Sequence, residues 1–112
     1  MLSIEERYDL FKNTLAECGS AILLESEDII EYKLFEEFAV DVVSFLHENT
    51  LDIFLDEGMI DDDIYIKCKN LRKLYLSMQS DSSLQNISHV KESSEWKKLM
   101  KLSDEIMQQL YR

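Results

Sequence analysis

The sequence predicts an all-α protein, a single-domain bundle of about four to five helices with a long central second helix. Three observations carry this. The 112 residues contain no proline and only two glycines, Gly19 and Gly58, so little interrupts a helix. Apolar residues recur every three or four positions, the spacing of one helix face. Hydrophobic residues make up 46% of the chain, and a chain of this length buries roughly two-thirds of its unfolded surface in one core. No internal repeat or linker divides it, so residues 1–112 read as one domain.

The first helix opens on a capping box, in which Ser3 accepts from the amide of Glu6 and Glu6 reaches back to the amide of Ser3. Ile4, Tyr8, Phe11, Leu15 and Cys18 then follow at 4-3-4-3 spacing, and Gly19 is the stop. Residues 20–25 are apolar and short, either an extension of this helix or a buried connection. Ser26 caps the second helix, with Glu27 and Asp28 at the positive end of its dipole. Ile30, Leu34, Phe38, Val42 and Leu46 step by four, and Phe35 and Phe45 widen the stripe. About 23 residues would run roughly 35 Å, with His47 on the polar side.

A short third helix follows Asn49 or Thr50, carries Leu51, Phe54 and Leu55, and ends at Gly58. Asp61 caps the fourth, Ile60 staples onto Tyr65, and Ile64, Cys68, Leu71, Tyr75 and Met78 form its core stripe. Residues 80–92, rich in Ser, Asp and Asn, form the main loop, held down by Leu84, Ile87 and Val90 and carrying His89. The last helix starts near Ser93 and buries Trp96, Leu99, Leu102, Ile106 and Leu110.

Charge is the feature that folding does not require. Twelve basic side chains stand against 23 acidic ones, a net charge of −11. Residues 1–66 hold 18 acidic and three basic side chains, a balance of −15; residues 67–112 hold five acidic and nine basic, a balance of +4. Repulsion at the first density opposes compaction, and solubility alone asks for a net charge of only about 2–8 in magnitude. A positively charged partner accounts for the excess. The same sign argues against nucleic acid and anionic membrane as ligands. No apolar run approaches the roughly 20 residues of a membrane span. The first residues lack the basic and apolar regions of a signal peptide, so a cytoplasmic protein is expected.

Catalysis, metals and cofactors are not expected. Cys18 and Cys68 form no Cys-x-x-Cys pair and have no histidine at ligand spacing, so they read as reduced core thiols. The adjacent carboxylates of Glu5-Glu6, Glu27-Asp28 and Glu36-Glu37 diverge by about 100° on a helix and do not converge on one point. Asp61-Asp62-Asp63 lacks the mid-loop glycine and terminal glutamate of a calcium loop; a capped, acidic first turn explains it better. Neither histidine sits in the Glu-x-x-His pattern of a di-iron bundle. Surface recognition remains. Asp52, Asp56, Glu57, Asp61, Asp62 and Asp63 bracket Gly58 at a helix–helix corner, and Glu36 and Glu37 lie on the polar arc of the second helix. These eight are the candidate partner-binding residues.

Gly58-Met59-Ile60 before an acidic helix start, Leu71-Arg72-x-Leu74-Tyr75, Val90 and Glu95-Trp96, and the closing Asp104-Glu105-Ile106 are similar to stretches of small all-helical bacterial immunity proteins, including those of contact-dependent growth inhibition and other polymorphic toxin systems. The resemblance covers about half the chain. It implies a cytoplasmic monomer that forms a heterodimer with its cognate basic toxin domain, commonly a nuclease, and blocks it. Two other readings are an acidic nucleic-acid mimic that inhibits a DNA-binding protein, and a homo-oligomeric helical scaffold. The second needs an exposed apolar patch, for which Val40, or Tyr65 with Leu76 beside Arg72, are the candidates.

Overall fold

Ser3 caps the first helix as its spacing predicts. In the computed structural model, which describes residues 2–111, its Oγ accepts from the Glu6 N–H at 3.1 Å and Glu6 Oε1 accepts from the Ser3 N–H at 3.1 Å. Helix α1 spans Ile4–Glu17 and buries Phe11 and Leu15. Beyond Gly19 the chain makes a 3-10 turn, Ser20–Leu24, in which only Ile22 is buried and Leu24 stands in solvent. It is neither an extension of α1 nor buried along its length. Asp104, on the last helix, holds it by accepting from the Ser20 N–H at 3.1 Å and from its Oγ. A Cβ on Gly19 would meet Asp104 Oδ1 and Met107 Cε at 3.0 Å, so this close approach favours glycine.

The central rod is built in three stretches. Helix α2 (Glu27–Glu31), a π-helical turn (Tyr32–Glu37) and α3 (Phe38–Phe45) follow one another with helical backbone at both joints. The step-by-four pattern explains the turn. Four residues of an α-helix rotate about 400°, so a strict four-residue stripe drifts about 40° per step and would walk off the core. A π turn wraps more residues into each revolution and cancels the drift. Ile30, Leu34, Phe38 and Val42 are all fully buried.

The rod ends at Phe45, short of the length its sequence predicts. Leu46 is the C-cap, and His47 turns extended and caps the next helix, its Nδ1 accepting from the Asn49 N–H at 3.1 Å. His47 is thus a helix cap, not part of the rod's polar side. Helix α4 spans Glu48–Asp56. Gly58 follows with φ 71°, the left-handed region that costs a side chain about 1–2 kcal/mol. Gly58→Ala is therefore expected to lower stability by about that amount, read as a lower urea midpoint.

Asp61 Oδ1 accepts from the Ile64 N–H at 2.8 Å and starts α5, Asp62–Gln79. The segment expected as the main loop holds a 3-10 turn, Ser82–Leu84, and a short helix α6, Ile87–Glu92, capped by the Asn86 side chain. His89 lies on α6, not in a loop. Ser93 then caps α7, Ser94–Leu110. Counting the rod as one, the described residues form six helices and no strand. The all-α class stands, with one helix more than predicted, because α6 has six residues and shows no apolar period.

Helix α7 packs on α5 and α1, α1 also on α3, and α4 on α5. Between them Tyr75 meets Phe38 edge-on at 4.6 Å, and Trp96 meets Phe35 at 5.8 Å and Tyr75 at 6.3 Å. Cys18 and Cys68 are buried and unpaired, and burial pushes both thiols up to about 12. They are inert at neutral pH. Among the described residues no helix is long and apolar enough to cross a membrane.

Candidate partner-binding surface

The corner around Gly58 divides its six carboxylates between structure and surface. Asp61 is used as the cap of α5. Asp63 accepts from Gln109 Nε2 at 2.7 Å and pairs with Lys67 Nζ at 3.2 Å. These two partners hold its carboxyl below the usual range. Asp52 accepts from the Tyr65 hydroxyl at 2.5 Å, a bond that pushes the Tyr65 phenol up to about 12. Asp56, Glu57 and Asp62 are exposed and make no side-chain hydrogen bond or ion pair among the described residues. The triplet 61–63 is thus not one surface. Reversing all three charges would unsettle the start of α5 as well, so Asp56, Glu57 and Asp62 are the positions that report on the corner alone.

Glu36 and Glu37 separate in the same way. Both lie in the π turn, but Glu36 is exposed, while Glu37 is half-buried and pairs with Lys33 Nζ at 3.4 Å. No hydrogen bond or ion pair links either residue to the Gly58 corner among the described residues.

Glu37 also faces a group that the sequence reading did not single out. Glu17, near the end of α1, is 3% exposed, and neither carboxylate oxygen finds a hydrogen-bond donor. Burial, then Asp41 and Glu37 beside it, raise its pKa to about 9. Glu17 is therefore protonated at neutral pH. The one signal in the sequence is its place three residues beyond Thr14, itself three beyond Phe11; all three are buried.

The outward side of the α2–α3 rod extends what the sequence reading found. Ile29, Tyr32, Glu36, Val40 and Val43 recur at 3-4-4-3 spacing and all are exposed. Tyr32 is 52% and Val40 67% exposed, unusual for the central helix of a bundle. A depression of about 260 Å³ opens around Tyr32, lined by Asp28, Glu31, Phe35 and Glu36. Its three carboxylates are without an ion-pair partner among the described residues, and no basic side chain lines it. The sequence reading named Glu36 and Val40 separately and passed over Ile29, Tyr32 and Val43, which join them into one face.

Such a surface can attract a cation at long range and seat it against an aromatic ring. It presents no nucleophile. Among the described residues no group of three or more His, Cys, Asp or Glu side chains is placed to hold a metal ion. The chain matches no family model, no curated protein and no solved structure.

Proposed function

We propose that the protein is an immunity protein, which binds a cognate basic toxin domain of the nuclease kind and neutralises it by covering its charged groove. The observation that supports this best is the ring of Asp28, Glu31 and Glu36 around the exposed Tyr32, continued along the rod by Ile29, Val40 and Val43. Unpaired carboxylates speed encounter with a basic surface, and a tyrosine flanked by aliphatic side chains is the kind of anchor that slows escape. The exposed Asp56, Glu57 and Asp62 add to the attraction from the corner. A second copy of this chain is a poorer occupant, because two faces carrying the same three carboxylates repel.

The test is a pull-down with the tagged protein from its native lysate, washed at low and then at high salt. One small basic protein retained in stoichiometric amount is the expected result. Its association with the purified protein should slow at least tenfold when Asp28, Glu31 and Glu36 are replaced by lysine. Tyr32→Ala should instead speed dissociation, at a cost of about 2 kcal/mol. A partner insensitive to both changes would place the interface elsewhere. Retention of a DNA-binding protein in its place would favour the nucleic-acid mimic.

A further inference from the structure

One cavity has the opposite character to the acidic face and does not depend on the reading above. It lies where α5 passes the corner between α3 and α4, and has a volume of about 350 Å³. One face of α5 forms its wall through Lys69, Arg72, Lys73 and Leu76, residues that fall together at helical spacing. The fully buried Leu46 and the exposed Leu76 are its apolar parts. Glu48, also in the lining, takes up the charge of Lys69 through a 3.2 Å ion pair. Arg72 and Lys73 form no ion pair among the described residues, in a chain that has 23 carboxylates. The Arg72 Nε is buried and donates to nothing.

We propose that this cavity binds a small organic oxyanion, its carboxylate or phosphate head on Arg72 and Lys73 and a short apolar body against Leu46 and Leu76. A guanidinium offers a planar fork of N–H donors, and an oxyanion is the ligand that takes two of them at once. Arg72 lines the cavity, and its guanidinium makes no ion pair among the described residues, so its charge is left for a ligand. The volume sits at the low end of small-molecule sites, about 300–1,000 Å³, so the ligand has few heavy atoms. The net charge of −11 repels a polyanion. A small anion inside the cavity feels mainly Arg72 and Lys73, because salt screens charges more than about 8 Å away.

The experiment is an amide NMR titration of the full chain with three probes: hexanoate, inorganic phosphate and a hexaglutamate peptide. Hexanoate should give saturable shifts confined to residues lining the cavity. Arg72→Gln should weaken that binding at least tenfold, while Lys98→Gln, which removes the same charge from an exposed site on α7, should leave it unchanged. Leu76→Ser should weaken hexanoate and spare phosphate, which separates recognition of the body from recognition of the head. Should Arg72→Gln lose its folded spectrum, Lys73→Gln carries the same comparison. Shifts that never saturate, equal losses in the Arg72 and Lys98 variants, or preference for hexaglutamate over hexanoate would overturn the proposal.

Discussion

Trp96→Ala should lower the unfolding free energy by about 3–5 kcal/mol. The ring is fully buried, lies edge-on to Phe35 and Tyr75, and its Nε1 donates to the Leu84 carbonyl at 2.8 Å. Truncation opens a cavity among α7, α5 and the rod, and leaves that carbonyl without its donor. Trp96→Phe separates the two losses. It keeps most of the volume and should cost about 1–3 kcal/mol for the bond. Urea titrations should show lower midpoints with unchanged slopes. A loss near zero for the alanine variant would mean that the side chain lies outside the core.

Glu17→Gln should do the reverse and stabilise the protein at neutral pH. The Glu17 carboxyl is raised from 4.5 to about 9 in the folded state, so the folded chain keeps a proton that the unfolded chain releases. The stability linked to that proton is fully present below pH 4.5 and is lost as pH rises toward 9. Within the window each pH unit costs at most about 1.4 kcal/mol. Burial raises the Glu17 carboxyl most, and Asp41 and Glu37, which face it, add to the shift. Glutamine cannot ionise and can donate to either neighbouring carboxylate. The variant should gain about 2–3 kcal/mol at pH 7, with a nearly flat profile from pH 5 to 8. Asp63 and Asp81, whose carboxyls are held low by hydrogen bonds, act in the opposite sense. Their contribution is lost only as pH falls into the acid range. Parallel profiles for the two proteins would show that Glu17 is ionised in the native state.

The helical class was legible because amphipathic periodicity is a direct imprint of burial. The stripes of α1, α5 and α7 were read from spacing, Ser3, Ser26 and Asp61 cap their helices as predicted, and the last helix starts beside Ser93, which proves to be its cap. What escaped were features shorter than a period or set by tertiary contact. Helix α6 is too brief to show a stripe. The 3-10 turn after Gly19 takes its shape partly from Asp104, 84 residues further on. His47 looked like one more residue of a long helix because nothing local marks the break at Leu46. For the surface, the acidic residues were legible as a set, but their employment was not. Asp61 and Asp63 serve the fold, and whether a carboxylate is free depends on Gln109 and Lys67 lying opposite it. Glu17 was invisible for the same reason, since its environment is made by a different helix.

The π turn leaves the rod one residue longer than its interior uses. Ile30 to Val42 is twelve residues in three turns, whereas eleven would give about 3.7 per turn, close to an ordinary α-helix. Deleting a single outward residue such as Glu36 would therefore return the rod to regular α-helix with its buried side chains still in phase. The surplus residue lies on the exposed side, next to Tyr32 and among the unpaired carboxylates. The widened turn therefore does two things with one residue: it holds a four-residue stripe on the core, and it places the extra length on the solvent side, where Tyr32 and Glu36 stand exposed.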